Sequence, residues 1–372
     1  MLRVLFLPFL RMPSGHHQVA DSLKAVLEET NENIYCEKVD ILSYSYGNVE
    51  SLVSSIYVTW INNFPNLYRK LYYTFSVKNV DVDGRFYLYE RLFLKKMKKL
   101  VIDSNPDLVV CTHGLPSYLL ARLKRNNEWS GIVINVYTDY FINALWGKAE
   151  IDFHFVPSPE LKCKLIAKGI SPQRILITGI PVHPYFLQTK NLEKVRSRYH
   201  VLICGGNLGV GPMKQFIQRL KPSGKIDYTV LCGKNEKLFR FLQNLRHPYI
   251  TPKGFITDKK EMNELYDLAD AVITKPGGAT IMECIWKRLP IIVYDALPGQ
   301  EEMNLKYLKE RRLIYHLENW RSTDEVEKRI IQLLENRDEM KKKLNEFHAH
   351  LEFSNITNLV KQRKYRKIFL RK

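Results

Sequence analysis

Gly277 and Gly278 stand between an apolar run and a helical pattern whose carboxylate is Glu283. Glycines can adopt backbone conformations closed to other residues and let a ligand approach the main chain. The N-terminus of the following helix presents unpaired N–H groups and a positive dipole end, which suit a phosphate. A carboxylate one turn further repels phosphate but accepts two hydrogen bonds from a vicinal diol such as a ribose. The pattern indicates a nucleotide site, although a tight βα turn followed by a solvated glutamate explains the same residues.

Two more glycine-rich turns follow apolar runs. They are Pro13-Ser14-Gly15-His16 and the stretch from Gly205 to Gly211. A dinucleotide-binding turn needs GxGxxG with an acidic residue about 20 positions later, and a P-loop needs GxxxxGK[ST]. Neither pattern occurs in the chain. A dehydrogenase and a P-loop ATPase are therefore disfavoured.

Apolar runs alternate with helical patterns along the whole chain, which is typical of βαβ units and parallel sheets. A helix is predicted from about His16 to Glu29, and the proline-containing stretch from Gly179 to Pro184 indicates an interdomain connection. We predict an α/β fold of two Rossmann-like domains with a cleft between them, in which ligands bind beyond the carboxyl ends of the strands. The predicted strands are Val4–Phe9, Leu108–Cys111, Ile132–Tyr137, Phe153–Val156, Val201–Cys204, Tyr228–Leu231, Ala271–Ile273 and Ile291–Tyr294.

Length and composition agree with two packed domains, because 372 residues exceed what one hydrophobic core usually serves.

No apolar run approaches the roughly 20 residues of a membrane span, and the opening MLRVLFLPFL is predicted to be a strand rather than a signal peptide. The six cysteines are dispersed without a CxxC pair, which predicts core residues in a reducing compartment and no structural zinc site. We expect a cytoplasmic protein.

The net charge of +18 predicts an anionic partner: nucleic acid, acidic lipid or a phosphorylated substrate. Basic residues alternate with aromatic ones in residues 57–100, and the tail at 361–372, KQRKYRKIFLRK, contains no acid. Such segments suit the headgroup layer of an anionic membrane and also single-stranded nucleic acid. For the first segment, a solvated face over a buried aromatic core is an equal alternative.

Several motifs in one order resemble a known enzyme family. They are Ser14-Gly15-His16, Thr138-Asp139 with Trp146, TGIPVHP from Thr178, CGKN from Cys232, TKPGGATIMEC from Thr274 and PGQEEMN from Pro298. Together they span nearly the whole chain and resemble glycosyltransferase family 28, especially its processive diacylglycerol glucosyltransferases and monogalactosyldiacylglycerol synthases. The resemblance implies a GT-B fold. It places an acceptor and membrane-facing domain at residues 1–182, a UDP-sugar-binding domain at 183–353, and a basic segment at 354–372 that crosses back to the first domain as a helix.

The resemblance also implies a donor site in which the glycines contact the diphosphate of UDP and the glutamate contacts its ribose. Its members contact the diphosphate (Gly277, Gly278, Ala279, Thr280), the ribose (Glu283), the donor sugar (Gln300, Glu301, Asn304), the phosphates or transferred sugar (Gly205, Gly206) and, through backbone groups, the uracil (Phe255, Ile256).

The implied acceptor chemistry involves His16 and Asp139. The acceptor hydroxyl must lose a proton while negative charge grows on the departing diphosphate. His16 matches the family's histidine and is expected to be the base or to position the acceptor, with Asp139 as its orienting partner or as the base itself.

Backbone N–H groups and a helix dipole can stabilise the diphosphate, so we expect no metal and no cofactor beyond the UDP-sugar substrate. Asp81-Val82-Asp83 spells a metal-binding DxD signature but is predicted to be a turn.

The leading hypothesis is an inverting hexosyltransferase that moves glucose, or another hexose, from a UDP-sugar to a diacylglycerol-type lipid. We expect it to associate peripherally with the anionic inner face of the cell membrane. Alternatives on the same fold are a UDP-N-acetylglucosamine 2-epimerase and a transferase acting on a polyprenyl or soluble acceptor. A non-catalytic UDP-sugar sensor stays open. Nucleic-acid binding is disfavoured because no nucleic-acid module is present.

Overall fold

The computed structural model describes residues 2–9, 14–29, 33–47, 69, 85–188, 197–206 and 212–352. The Asp81–Asp83 motif, the predicted segment at 354–372 and most of the aromatic basic stretch at 57–84 lie outside these residues. The chain divides into two compact units. Among the described residues, the first unit contains those up to His183 together with His350 to Glu352, and the second contains those from Pro184 to Ala349.

The first unit is a six-stranded parallel sheet in the order β2-β1-β3-β4-β5-β6. Its central strands are buried on both faces and rich in valine, isoleucine and leucine, as parallel strands covered by helices must be. The strands are β1 (Leu2–Leu7), β2 (Ile34–Lys38), β3 (Leu108–Cys111), β4 (Ile132–Val136), β5 (Phe153–Val156) and β6 (Ile175–Ile177).

Helices cover this sheet through apolar faces. In α1, Val19, Leu23, Val26 and Leu27 recur at helical spacing and are buried. The helices are α1 (Gly15–Glu28), α2 (Ile41–Tyr46), α3 (Lys95–Ser104), α4 (Gly114–Arg125) and α5 (Pro159–Ala167), and a helical turn (Tyr87–Tyr89) and a π-helical turn (Glu90–Leu94) lead into α3.

The second unit repeats this plan with a parallel sheet in the order β12-β11-β10-β7-β8-β9. Its strands are β7 (Tyr199–Cys204), β8 (Ile226–Leu231), β9 (Ile250–Lys253), β10 (Ala271–Thr274), β11 (Ile291–Val293) and β12 (Tyr315–His316). Its helices are α6 (Met213–Leu220), α7 (Glu236–Leu245), α8 (Lys259–Leu268), α9 (Gly278–Trp286), α10 (Gln300–Glu310), α11 (Val326–Glu335) and α12 (Arg337–Ala349).

The chain re-enters the first unit after α12. The backbone N–H of Glu352 donates to the carbonyl of Ile177 at 2.9 Å, its carboxylate pairs with Lys162, and Leu351 packs against the first unit's core. Residues 350–352 therefore belong structurally to the first unit.

The predicted strands all occur, with shifted ends, and the two-sheet α/β architecture is confirmed. Sequence reasoning missed the strands at the sheet edges: β2, β6, β9 and β12. β2 is partly exposed, β9 contains Pro252, β6 has only three residues, although all are apolar, and β12 has only two. Within the described residues, no helix is both long and apolar enough to cross a bilayer.

Candidate functional site

The first unit gathers polar side chains at the carboxyl ends of β1, β3 and β4. His16 lies in the first turn of α1, which follows β1, while Thr112 and His113 follow β3, and Thr138 and Asp139 follow β4. The chain leaves β1 toward β2 on one side and returns to β3 on the other, so this edge is a topological switch point of the sheet. Ligands of open α/β sheets bind at such points.

The hydrogen bonds of His16 decide which ring nitrogen carries the proton. Its Nδ1 lies 2.8 Å from the carbonyl oxygen of Thr112 and 2.9 Å from Oγ1 of Thr138. Because a carbonyl oxygen only accepts, Nδ1 must be the donor. In the neutral ring Nε2 then keeps its lone pair, which is the arrangement a general base needs.

Burial lowers the pKa of His16, and the nearby charge of Asp139 opposes that shift. The imidazole is therefore neutral near pH 7, and Asp139 is placed to stabilise it once it gains a proton. The structure thus brings His16 and Asp139 together at the carboxyl ends of β1 and β4.

His113 follows β3 and is a direct neighbour of His16; its place at a strand end made it a weaker candidate for the base from the sequence. Its ring meets that of His16 edge-on at 4.9 Å and stacks on Phe9 at 4.8 Å. Its Nδ1 accepts the backbone N–H of Leu115 at 3.1 Å and so caps α4. Burial lowers the pKa of His113 well below its ordinary value, as does the adjacent His16, so the ring is a neutral wall of the site.

In the second unit, the two described glycine turns follow the adjacent strands β7 and β10. These strands pair directly, with Ile203 opposite Ile273. The chain runs from β7 to β8 and β9 on one side and returns to β10 on the other, so Gly205, Gly206, Gly277 and Gly278 all lie at a switch point.

The backbone of Gly277 corrects one expectation. Its φ is −74°, which any residue can adopt, so the turn does not need glycine for its conformation. A β-carbon built at Gly277 would meet no atom within 4 Å, so glycine leaves open space in front of α9. Gly206 differs, because its φ of +74° lies in the left-handed region that favours glycine. A β-carbon at Gly206 would also meet no atom within 4 Å.

The first turn of α9 presents main-chain N–H groups at the switch point. Gly277 is the N-cap residue, and Gly278, Ala279 and Thr280 follow as the first helical residues. The first N–H groups of a helix have no partner within it, so this end of α9 can bind an anion.

Glu283 is buried, contrary to the alternative of a solvated helix residue. Its side chain is 7% exposed, and the hydroxyl of Tyr266 donates to its Oε2 at 2.8 Å. Burial raises the pKa of Glu283, while the charge of Lys259 and the Tyr266 hydrogen bond lower it. A buried carboxylate with one donor retains accepting positions for a ligand hydroxyl.

α10 begins beside the turn that follows β10. Oε1 of Glu301 lies 3.4 Å from the ammonium of Lys275, and its Oε2 accepts the N–H of Leu297 at 2.7 Å. Asn304 is buried and donates to the carbonyl of Pro276 at 3.0 Å. Sequence reasoning missed Lys275, although it stands two residues before the paired glycines.

The remaining predicted residues occupy less enclosed positions. Gln300 is half-buried in the first turn of α10. Phe255 and Ile256 lie between β9 and α8; Phe255 is 40% exposed, and the ammonium of Lys234 stands 5.2 Å from its ring centre. Twelve predicted donor-site residues thus all belong to the second unit, and the two predicted acceptor residues belong to the first.

Comparison with known proteins gives two matching family models. Residues 16–182 match monogalactosyldiacylglycerol (MGDG) synthase, and residues 200–359 match the glycosyltransferase family 28 C-terminal domain.

Full-length relatives agree with these models. The uncharacterized glycosyltransferase YkoN of Bacillus subtilis is 43% identical over 366 residues, covering 97% of each chain. The processive diacylglycerol beta-glucosyltransferase of Bacillus cytotoxicus is 28% identical, covering 80% of this chain and 78% of its own.

Solved structures support the fold alone. MurG of Acinetobacter baumannii superimposes with a TM-score of 0.60 at 16% identity, covering 97% of this chain and 98% of its own. A putative UDP-N-acetylglucosamine 2-epimerase of Listeria monocytogenes gives a TM-score of 0.56 at 13% identity, covering 97% and 95%. With two parallel α/β sheets, a GT-B architecture and homology along its length, the chain belongs to glycosyltransferase family 28 and is related to the diacylglycerol glucosyltransferases.

Proposed function

We propose that this glycosyltransferase moves a hexose, with glucose as the first candidate, from a UDP-sugar to a diacylglycerol-type membrane lipid with inversion at the anomeric carbon. The names of its relatives favour this acceptor class. The observation that carries the chemistry is the tautomer of His16, because its Nδ1 is committed to the Thr112 carbonyl and its Nε2 is left basic.

The proposed step is a single displacement. The acceptor oxygen attacks the anomeric carbon and gives its proton to Nε2 of His16. The bond between that carbon and the diphosphate oxygen breaks, and UDP leaves with the bonding electrons. Asp139 stabilises the imidazolium formed in this step, as an adjacent carboxylate does for a histidine base.

The second unit would bind the leaving group. In this proposal the N–H groups at Gly278, Ala279 and Thr280 and the positive end of α9 face the diphosphate, where negative charge grows in the transition state. Glu283 accepts the ribose hydroxyls, and its burial strengthens these bonds by excluding water. Gly205 and Gly206 face the phosphates or the transferred sugar, and Phe255 and Ile256 offer backbone groups to the uracil.

The proposed sugar contacts come from Gln300 and Glu301 on α10, with Asn304 close behind them. The carboxylate of Glu301 lies beside Lys275, and its oxygens can accept hydrogen bonds from sugar hydroxyls. Asn304 donates to the Pro276 carbonyl and so joins α10 to the turn that follows β10.

An exposed apolar and basic surface before α3 supports the membrane part of the proposal. Tyr87 and Leu88 are each 67% exposed and Leu92 is 39% exposed, and Arg91 and Lys95 are exposed in the same stretch. Aromatic and aliphatic side chains with adjacent cations suit the headgroup layer of an anionic membrane. We propose that this surface contacts the inner face of the cell membrane.

The test is transfer of radiolabelled sugar to lipid. Full-length protein is incubated with vesicles containing diacylglycerol and phosphatidylglycerol, with UDP-glucose, UDP-galactose or UDP-N-acetylglucosamine supplied separately. We expect label in the lipid extract from one hexose donor and its loss in His16→Ala. His17→Ala, the same change one residue along the helix, serves as the matched control and should retain most of the activity.

Each other result points elsewhere. Release of UDP without labelled lipid would refute the lipid acceptor, and conversion of UDP-N-acetylglucosamine to its 2-epimer without lipid would favour an epimerase. Equal loss in both histidine variants would refute a specific role for the His16 imidazole. A Tyr87→Ser/Leu88→Ser variant should lose lipid transfer but retain UDP binding, whereas Ile166→Ser, at an exposed position on α5, should lose neither.

A further inference from the structure

The turn after β10 and the start of α10 form one connected unit. Lys275 pairs with Glu301 across them, and Asn304 returns a hydrogen bond to the Pro276 carbonyl. One side of this unit precedes the N-terminus of α9, where the diphosphate is proposed to bind. The other carries the residues proposed to contact the donor sugar.

Lys275 is an unusual side chain for this position. It is 6% exposed at the carboxyl end of a buried strand, where a lysine needs a partner to remain charged. Glu301 supplies that partner, and its own side chain is 19% exposed. The pair is therefore shielded from water, and each member fixes the place of the other.

The geometry of Glu301 leaves it ready to accept further bonds. Oε1 faces Lys275 at 3.4 Å and Oε2 accepts the Leu297 N–H at 2.7 Å. An ionised carboxylate has about four accepting positions, so each oxygen keeps at least one for a ligand. Two oxygens held in a fixed plane match two neighbouring hydroxyls of a hexose.

We propose that Lys275 is a positioning residue for the donor sugar: through its ion pair it holds the Glu301 carboxylate oriented toward the hexose hydroxyls. This inference rests on the proposed UDP-hexose donor. It differs from a role in binding the diphosphate, because it acts through Glu301 and only on the sugar. Replacing Lys275 should therefore weaken the binding of UDP-hexose and change the affinity for UDP little.

The test compares two ligands by calorimetry without lipid, using full-length wild type, Lys275→Met, Glu301→Gln and the double variant. Lys306→Met, the same change at an exposed position of α10, is the matched control. For Lys275→Met we expect the Kd of UDP-glucose to rise roughly 10- to 100-fold more than that of UDP, which is about 1.4 to 2.8 kcal/mol. Retained UDP affinity shows directly that the variant is folded.

The double variant isolates the mechanism. If Lys275 acts through Glu301, adding Lys275→Met to Glu301→Gln changes the affinity for UDP-glucose little further. Equal weakening of UDP and UDP-glucose by Lys275→Met, or fully additive losses, would overturn the inference. A wild type that binds UDP-glucose no differently from UDP would overturn it too. Glycolipid formation by wild type is measured separately, so failure of the proposed acceptor leaves this affinity ratio intact.

Discussion

The two histidines that follow β1 and β3 carry their protons on opposite nitrogens. His16 donates from Nδ1 to a carbonyl, while His113 accepts at Nδ1 from a backbone N–H. His16 is therefore the ring with a basic Nε2, and His113 is a structural neighbour whose Nδ1 lone pair is already used. The partner of Nδ1 alone therefore distinguishes His16, the candidate base, from His113, which caps a helix.

The first residue-scale prediction concerns pH. His16 works as a base only when neutral, and burial lowers its pKa, so kcat/KM should be flat near pH 7 and fall as the pH drops through that lowered pKa. His16→Gln should lose roughly 10²- to 10⁴-fold in kcat. Asp139→Asn removes the charge that raises the pKa of His16, so its acid limb should move to lower pH. The measurement is a pH–rate profile of lipid glycosylation for the three proteins.

The profile also separates the two candidates for the base. If Asp139→Asn abolished activity at every pH while His16→Gln retained it, Asp139 would be the base and the assignment to His16 would be wrong.

The second residue-scale prediction concerns Tyr266. Its hydroxyl lowers the pKa of Glu283, against burial, which raises it. Tyr266→Phe should raise this pKa further, so UDP binding, which we propose requires the carboxylate, should be lost at a higher pH as the pH falls. UDP titrations across pH measure the shift. Tyr228→Phe removes a comparable buried hydrogen bond, from Tyr228 to Glu327, and should leave the pH dependence unchanged.

At the scale of elements, the carboxyl ends of β7 and β10 bring a left-handed glycine and the start of α9 side by side. Because the strands pair directly, the turns that follow them are neighbours. In the proposed donor site, Gly277 contributes the open space in front of α9 and not an unusual backbone conformation.

Two glycine variants test that distinction. Gly277→Ala should change the free energy of unfolding by less than about 1 kcal/mol, because φ is ordinary and space is free. It should still weaken UDP binding at least about tenfold, since a lost charge-assisted hydrogen bond costs about 1.5–3 kcal/mol. Gly224→Ala, at φ +92° with Tyr249 atoms 2.9 Å from the new carbon, should do the reverse. It should destabilise by about 1–2 kcal/mol or more and leave UDP affinity unchanged.

Thermal unfolding and calorimetry on the same samples give both quantities. A Gly277→Ala protein that lost stability but kept its UDP affinity would contradict the proposed approach of phosphate to this turn.

At the scale of the whole molecule, the net charge of +18 supports the proposed contact with an anionic surface. The residues at 361–372 supply seven lysines and arginines with no acid. Attraction to anionic lipid is worth up to about 1 kcal/mol per basic residue near the surface and is screened by salt.

Removal of residues 361–372 should therefore weaken binding to vesicles containing phosphatidylglycerol by at least about tenfold. Raising the salt concentration should reduce the difference in vesicle affinity between the full-length protein and the truncated one. Vesicle co-sedimentation measures it, with purely zwitterionic vesicles as the control and UDP affinity as the check on folding. Unchanged binding would place the membrane contact elsewhere in the chain.

The sequence by itself determined the eight inner strands of the two sheets and the places of the glycine turns. Central strands such as β3 and β10 are continuous apolar runs, and the turn residues stand directly after them, so local pattern suffices. Edge strands such as β2 and β12 were not predicted, because half-exposed or very short segments carry no such run.

Only the tertiary structure decided the chemistry at each turn. His16 meets the Thr112 carbonyl across 96 residues, and Tyr266 meets Glu283 across 17. Lys275 lies 26 positions from Glu301, and nothing in the spacing of these residues predicts that they pair. The tautomer of His16, the burial of Glu283 and the partner of Lys275 depend on which strands lie side by side, because hydrogen bonds and ion pairs form between neighbours in space rather than along the chain.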